Sequence, residues 1–194
     1  MIVVGILTPA SGADSVVEIG RRAAGTGART EVIGVAPASV DGDRQLLALA
    51  SAGVGHATVI RSAAEGIEPA DLDLALRYLP DVRAIALVRP AAALLATALS
   101  AASWSGATLI VVGPLDADVT TLVEAASSGA AAGSGGTTSA ATRSMSPILL
   151  EPPARDPDGA FAGVVAALAV RLDAGEDPAA AWQSTVSALA LDPA

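Results

Sequence analysis

The chain contains neither lysine nor cysteine. Without lysine there is no Schiff-base chemistry, no anchor for pyridoxal phosphate and no P-loop lysine to reach a bound phosphate. Without cysteine there are no disulfides, no thiolate nucleophile and no thiolate metal centre. The one histidine, His56, cannot build a multi-histidine metal site or a proton relay. These absences lead us to expect no metal site. Aromatic residues amount to 2%, so the core has to be assembled from Ala, Val, Leu and Ile, each of which buries little area. Charges interrupt the apolar stretches roughly every ten to fifteen residues, which argues against a membrane span. The start of the chain, Met1-Ile2-Val3-Val4-Gly5-Ile6-Leu7, lacks a positive leader and reads as a strand. The expectation is a cytoplasmic protein that does not engage a membrane.

What is present fits a globular domain. The 194 residues suffice for one domain with a sizeable core, taken as 1–194, and 52% of them are hydrophobic. All eleven cationic side chains are arginine, and the net charge is −9. Such a surface repels phosphate backbones, so no nucleic-acid partner is expected.

Short β-branched runs alternate with longer Ala/Leu-rich segments. The runs Ile2–Leu7, Glu31–Val35, Ala57–Ile60, Ala84–Val88, Thr108–Val112 and Ile148–Leu150 lack polar alternation, as strands buried on both faces do. Helices are predicted over Asp14–Ala24, Arg44–Ala52, Pro69–Leu79, Ala91–Ala102, Val119–Ser127, Ala160–Leu172 and Pro178–Leu191. Gly25 and Gly27, Gly53 and Pro80 mark helix ends, and Pro69 with Asp71 marks a helix start. This rhythm predicts an α/β, three-layer Rossmann-like sandwich on a mostly parallel sheet. Ligands of such sheets bind beyond the C-terminal strand ends. One segment breaks the rhythm: residues 130–146, a Gly/Ser/Thr-rich stretch. It reads either as a flexible surface loop or as a backbone nest for an anion, with Arg143 as its only charge.

The stretch from Asp156 to Ala169 reads DPDGAFAGVVAALA. It resembles the C-terminal signature of ribokinase-like (PfkB family) carbohydrate kinases, a Gly-Ala-Gly-Asp-Ala-Phe-Ala-Gly run that opens a long helix. Ala160-Phe161-Ala162-Gly163 keeps the second half. Other pieces are similar in order: Ala24–Ala28 followed by Arg29–Val35, Gly42–Leu49 with Ala52-Gly53-Val54, Pro69–Leu79 with Val82–Val88, and Ser105-Gly106-Ala107 with Thr108–Val112. The resemblance implies a ribokinase-like fold and, in an intact member, ATP with Mg²⁺ and transfer of the γ-phosphate to a sugar hydroxyl.

The chain departs from that pattern in three respects. It is shorter than the family's members, which implies that the lid strands are absent. The Gly-Gly pair and Asn that bind sugar hydroxyls are replaced by Ala13, Asp14 and Glu18, and Ala36-Pro37-Ala38 stands for a Gly-x-Asp. The position of the family's catalytic aspartate holds Gly159. Pro157 has no N–H to donate, and Asp156 and Asp158 bring carboxylates to a place where a phosphoryl group would need donors. In phosphoryl transfer, catalysis is mostly positioning and charge stabilisation.

The resemblance therefore implies a degenerate domain with no cofactor. It would bind a small polar ligand or a protein partner, as a homodimer or with a related chain. Candidate positions are Asp14 and Glu18 for a substrate and Gly159 and Ala160 for a phosphate. The alternative is an active carbohydrate or nucleoside kinase with Asp158 as a base slipped by one residue. Asp156 and Asp158 also serve as helix-capping acids. A third reading is a generic Rossmann-like subunit of a complex. Asp41-Gly42-Asp43 reads as a turn and cap, His56 as an edge position without a catalytic role, and Trp104 and Trp182 as packing anchors.

Overall fold

The computed structural model describes residues 1–7, 13–64, 66–114, 116–132, 147–153 and 158–190. Their strands are β1 (Ile2–Leu7), β2 (Thr30–Pro37), β3 (Gly55–Ser62), β4 (Ala84–Val88), β5 (Thr108–Val112) and β6 (Ile148–Leu150). The helices are α1 (Ala13–Gly25), α2 (Val40–Ser51), α3 (Pro69–Tyr78), α4 (Ala92–Ser105), α5 (Ala117–Ala132), α6 (Ala160–Asp173) and α7 (Pro178–Ala190). The strands form one sheet in the order β3-β2-β1-β4-β5-β6. Every pairing in it is parallel. This is the α/β sandwich read from the sequence.

Strand order reverses between β1 and β4, and the crossovers place helices on both faces. On one face α1, α2 and α6 cover Ile2, Val4, Val32, Ala86 and Ile110, with α7 packed outside α6. On the other face α3, α4 and α5 cover Val3, Ile33, Ile85, Leu87 and Leu109. Continuous apolar strands follow from this double cover. The scarcity of aromatics is met by alanine. Ala98, Ala101 and Ala102 of α4 and Ala162, Ala166 and Ala169 of α6 are all buried. Small side chains let these helices lie close to the sheet. Among the described residues no helix is long and apolar enough to cross a membrane.

Element ends differ from the sequence expectation where caps and long-range pairing decide. α2 starts at Val40, four residues before the expected Arg44, because Ser39 sits extended as its N-cap (φ −146°). Asp41-Gly42-Asp43 thereby falls in the first turn. Gly42 is required there: a Cβ on it would lie 1.9 Å from the carbonyl oxygen of Pro37. β2 and β3 extend to Pro37 and Ser62 because they pair with each other along that length. α5 runs through Ala132, so the glycine-rich stretch begins inside a helix, and its residues 133–146 lie outside the described residues.

The start of β1 is tied to the C-terminal end of α6. The Met1 ammonium pairs with Asp173 at the end of α6 and donates to the Asp81 carbonyl, while Arg83 donates to the Asp173 carbonyl at 3.4 Å. A carboxylate at a helix C-terminus opposes the helix dipole. The ammonium offsets this beside the buried Met1 side chain.

Gly42→Ala should cost about 1–3 kcal/mol, the usual penalty of forcing atoms into a packed contact. Gly25→Ala, with nothing within 4 Å of the added carbon, should leave stability unchanged or improved. Thermal denaturation of the two variants checks the difference. Equal melting temperatures would refute the close approach at Pro37.

Candidate functional site

The segment that carries the kinase resemblance enters α6 through Gly159. This residue adopts a left-handed conformation (φ +65°, ψ 22°) and provides no side-chain cap. A helix start of this kind leaves N–H groups in need of acceptors and favours negative charge nearby. Three side chains of α1 cluster beside it. Arg22 donates from Nη2 to the Asp158 carbonyl oxygen at 3.1 Å and from Nε to Oε1 of Glu18 at 2.6 Å. The other oxygen of Glu18 accepts from Nη1 of Arg21 at 2.7 Å. Glu18 thus lies between two guanidinium groups.

Glycine at two positions of α6 makes room for this cluster. A Cβ on Gly159 would lie 3.2 Å from Nη2 of Arg22 and 3.4 Å from Cγ of Glu18. A Cβ on Gly163 would lie 3.1 Å from Nη1 of Arg22. The guanidinium therefore rests in the groove left by two glycines one turn apart. Glu18 offsets the unfavourable placement of a cation beside a helix N-terminus.

The structure brings three of the expected site residues together: Glu18, Asp158 and Gly159. Asp158 is exposed, and so is Ala160 at the first position of α6. Asp14 falls in the first turn of α1. Asp156 and Pro157 lie outside the described residues. Arg22 was not expected from the sequence. Its only signal there is the Glu18–Arg22 spacing, which marks a helix-face pair without showing which neighbour it meets.

A second feature sits where parallel sheets bind ligands. A cavity of about 210 Å³ opens beyond the C-terminal ends of β4 and β5, lined by Arg89, Pro90, Val111, Gly113, Pro114, Asp116 and Val119. Arg89 takes a left-handed conformation (φ 48°), rare for a residue with a long side chain. Its N–H donates to the Val112 carbonyl at 2.7 Å. Gly113 lies against the Arg89 backbone, where an added Cβ would be 3.5 Å from its Cα. The Asp116 carboxylate accepts from the Val119 N–H at 2.9 Å and so caps α5. Among the described residues Arg89 forms no ion pair.

The remaining candidates stand apart from both places. His56 is half-buried in β3, with Nδ1 3.1 Å from the Val54 carbonyl oxygen. The two tryptophans are not buried anchors: Trp104 is 49% exposed and Trp182 38% exposed. Arg77 lies over the Trp104 ring, 5.6 Å from its centroid.

No protein-family model matches the sequence, and no curated protein matches it. Solved structures do match the fold, which is that of the ribokinase-like carbohydrate kinases. The protein called Sa239 superposes with a TM-score of 0.61 at 15% identity, over 93% of this chain and 82% of that one. An Escherichia coli protein assigned as a ribokinase II, in its apo form, gives 0.58 at 12% identity over 88% and 79%. A Xylella fastidiosa fructokinase with bound ATP gives 0.56 at 12% identity over 89% and 77%. At these identities the likeness is one of fold.

Gly159→Ala should destabilise the protein by about 1–2 kcal/mol, the cost of a Cβ in a left-handed conformation. Truncating the guanidinium in Gly159→Ala/Arg22→Ala should not recover that loss, because the strain lies in the backbone. Chemical denaturation of the single and double variants measures both. A neutral Gly159→Ala would contradict the left-handed start of α6.

Proposed function

We propose that this chain is a sugar-kinase-like domain that binds a small polar ligand and does not transfer phosphate. The observation that carries the reading is Gly159 at the start of α6, with Arg22 and Glu18 packed against it. A phosphotransferase of this fold needs a side chain there to take a proton from the attacking hydroxyl, and free donors to receive the transferred group. Gly159 has no side chain to act as that base. The Arg22 guanidinium is committed to Glu18 and to the Asp158 carbonyl. The described residues therefore do not fit a nucleotide phosphate with magnesium at this helix end, and no step is derived through one.

Support for ligand binding comes from the other feature. The cavity at Arg89 lies at the C-terminal sheet edge, where doubly wound folds hold their ligands. It offers the Arg89 guanidinium, the Asp116 carboxylate and the backbone groups of the Arg89-Pro90 and Gly113-Pro114 turns, beside apolar wall from Pro90, Val111, Pro114 and Val119. A few charged and backbone groups set in a partly apolar wall suit a small molecule that carries polar groups.

Incubation with ATP, Mg²⁺ and ribose, fructose phosphates or nucleosides should yield no sugar-dependent ADP. Loss of a general base alone lowers a rate by roughly 10²–10⁴. Turnover that disappears in Asp158→Asn and survives in Asp156→Asn would overturn the proposal and establish Asp158 as the base of an active kinase.

A further inference from the structure

We propose that the cavity between the C-terminal ends of α3 and α4 binds a small organic cation, a primary ammonium group on an apolar or aromatic body. The cavity lies at the edge of the sheet opposite Arg89, so the inference is independent of the reading proposed above.

Crossover helices of a parallel sheet run antiparallel to its strands, so their C-terminal ends gather at the N-terminal strand edge. There, beside the start of β4, a cavity of about 250 Å³ opens between α3 and α4. That volume takes about eight water-sized groups, at roughly 30 Å³ each. Leu76, Val82 and Ile85 form its inner wall, and all three are buried within the chain.

Three features favour a cation here. Asp81 is the one charged residue that lines the cavity. Among the described residues it forms no ion pair. The nearby cations are engaged elsewhere: the Met1 ammonium pairs with Asp173, and Arg83 donates to the Asp173 carbonyl. The second feature is the pair of helix ends. Leu76 and Ser105, in the last turns of α3 and α4, line the cavity and set the negative ends of two helix dipoles beside it. Among the described residues α3 ends at Leu79 without the backbone cap bonds that close α2, α4 and α6, so solvent or a ligand must meet its last carbonyls. The third feature is Trp104, which forms a wall and is half open to solvent. An indole face attracts cations, and this ring already holds the Arg77 guanidinium. That guanidinium belongs to Asp73, at 2.7 Å, and does not line the cavity.

The apolar inner wall and the negative rim select different parts of one ligand. An anion would be repelled by Asp81 and by both helix ends. A bare metal ion would gain a single carboxylate and surrender its water to an apolar wall. An ammonium on a hydrocarbon body sets its charge at Asp81 and its body against Leu76, Ile85 and Trp104. In a chain with 2% aromatic residues, Trp104 stands at this wall and not in the core.

Isothermal titration of the full chain with phenethylamine should show saturable binding with a Kd of about 1 mM or below. The uncharged 2-phenylethanol, of the same shape, should bind about fivefold more weakly, the scale of a partly exposed ion pair. Asp81→Asn should abolish that preference. The backbone of Asp81 is left-handed (φ 58°), a conformation that Asp and Asn both accept, so the circular dichroism of this variant should match that of the unaltered protein. Trp104→Ala should weaken binding of both compounds. Equal affinity for the amine and the alcohol in the unaltered protein would overturn the proposal. So would amine binding that survives Asp81→Asn and Trp104→Ala together, or a titration that shows no saturation by about 10 mM amine, tenfold above the expected Kd.

Discussion

The contact between α1 and α6 sets what this fold can do. α6 packs through Ala162, Val165, Ala166 and Ala169 into the core on one face of the sheet. Gly163 and Gly159 leave a groove on its flank. The Arg22 side chain fills that groove and is held at its far end by Glu18 and by the Asp158 carbonyl. Packing, backbone conformation and charge converge on one point, and each depends on the others. Without the two glycines the guanidinium has no bed; without Glu18 a cation would stand unpaired beside a helix N-terminus.

A phosphotransferase of this architecture uses the same helix end as an electrophilic cradle, where backbone donors and a base act on a group carrying several negative charges. Here a cation is already present and is already neutralised by a carboxylate. On the reading proposed above, Gly159 stands where that base would be and has no side chain. The sheet, the crossovers and the long alanine-rich helix are the part of the architecture shared with the solved structures that match the fold. The resemblance in sequence is carried by packing residues of α6, Ala162 foremost, and not by residues that would touch a substrate.

The elements were legible because they obey local rules. Parallel strands buried on both faces read as unbroken apolar runs, and β1, β4, β5 and β6 appear with the limits read from the sequence. Errors arose where the boundary depends on something distant. The start of α2 is fixed by the Ser39 cap and by the fit of Gly42 under Pro37, and the length of β3 by its pairing with β2. Strand order is not legible in a single sequence, because it records pairings between segments far apart in the chain. The same limit applied at the site. Glu18 is a substrate candidate only through the family resemblance, as the residue at the position of its sugar-binding Asn. That it lies beside Gly159 could not be read there, since helical spacing names a face but not the element that face meets. Tryptophan is ordinarily read as an anchor for a core, yet Trp104 and Trp182 stand partly exposed, because alanine and β-branched residues fill this interior without them.

The central claim is that the start of α6 is closed to phosphate by Arg22 and Glu18. Its most direct test is a titration of the isotope-labelled protein with inorganic phosphate and with ATP·Mg²⁺, following the backbone amide signals of Gly159, Ala160 and Phe161 by NMR. The account predicts that these signals stay in place while Arg22→Ala/Glu18→Ala makes them responsive. Saturable shifts of the three amides in the unaltered protein would contradict it.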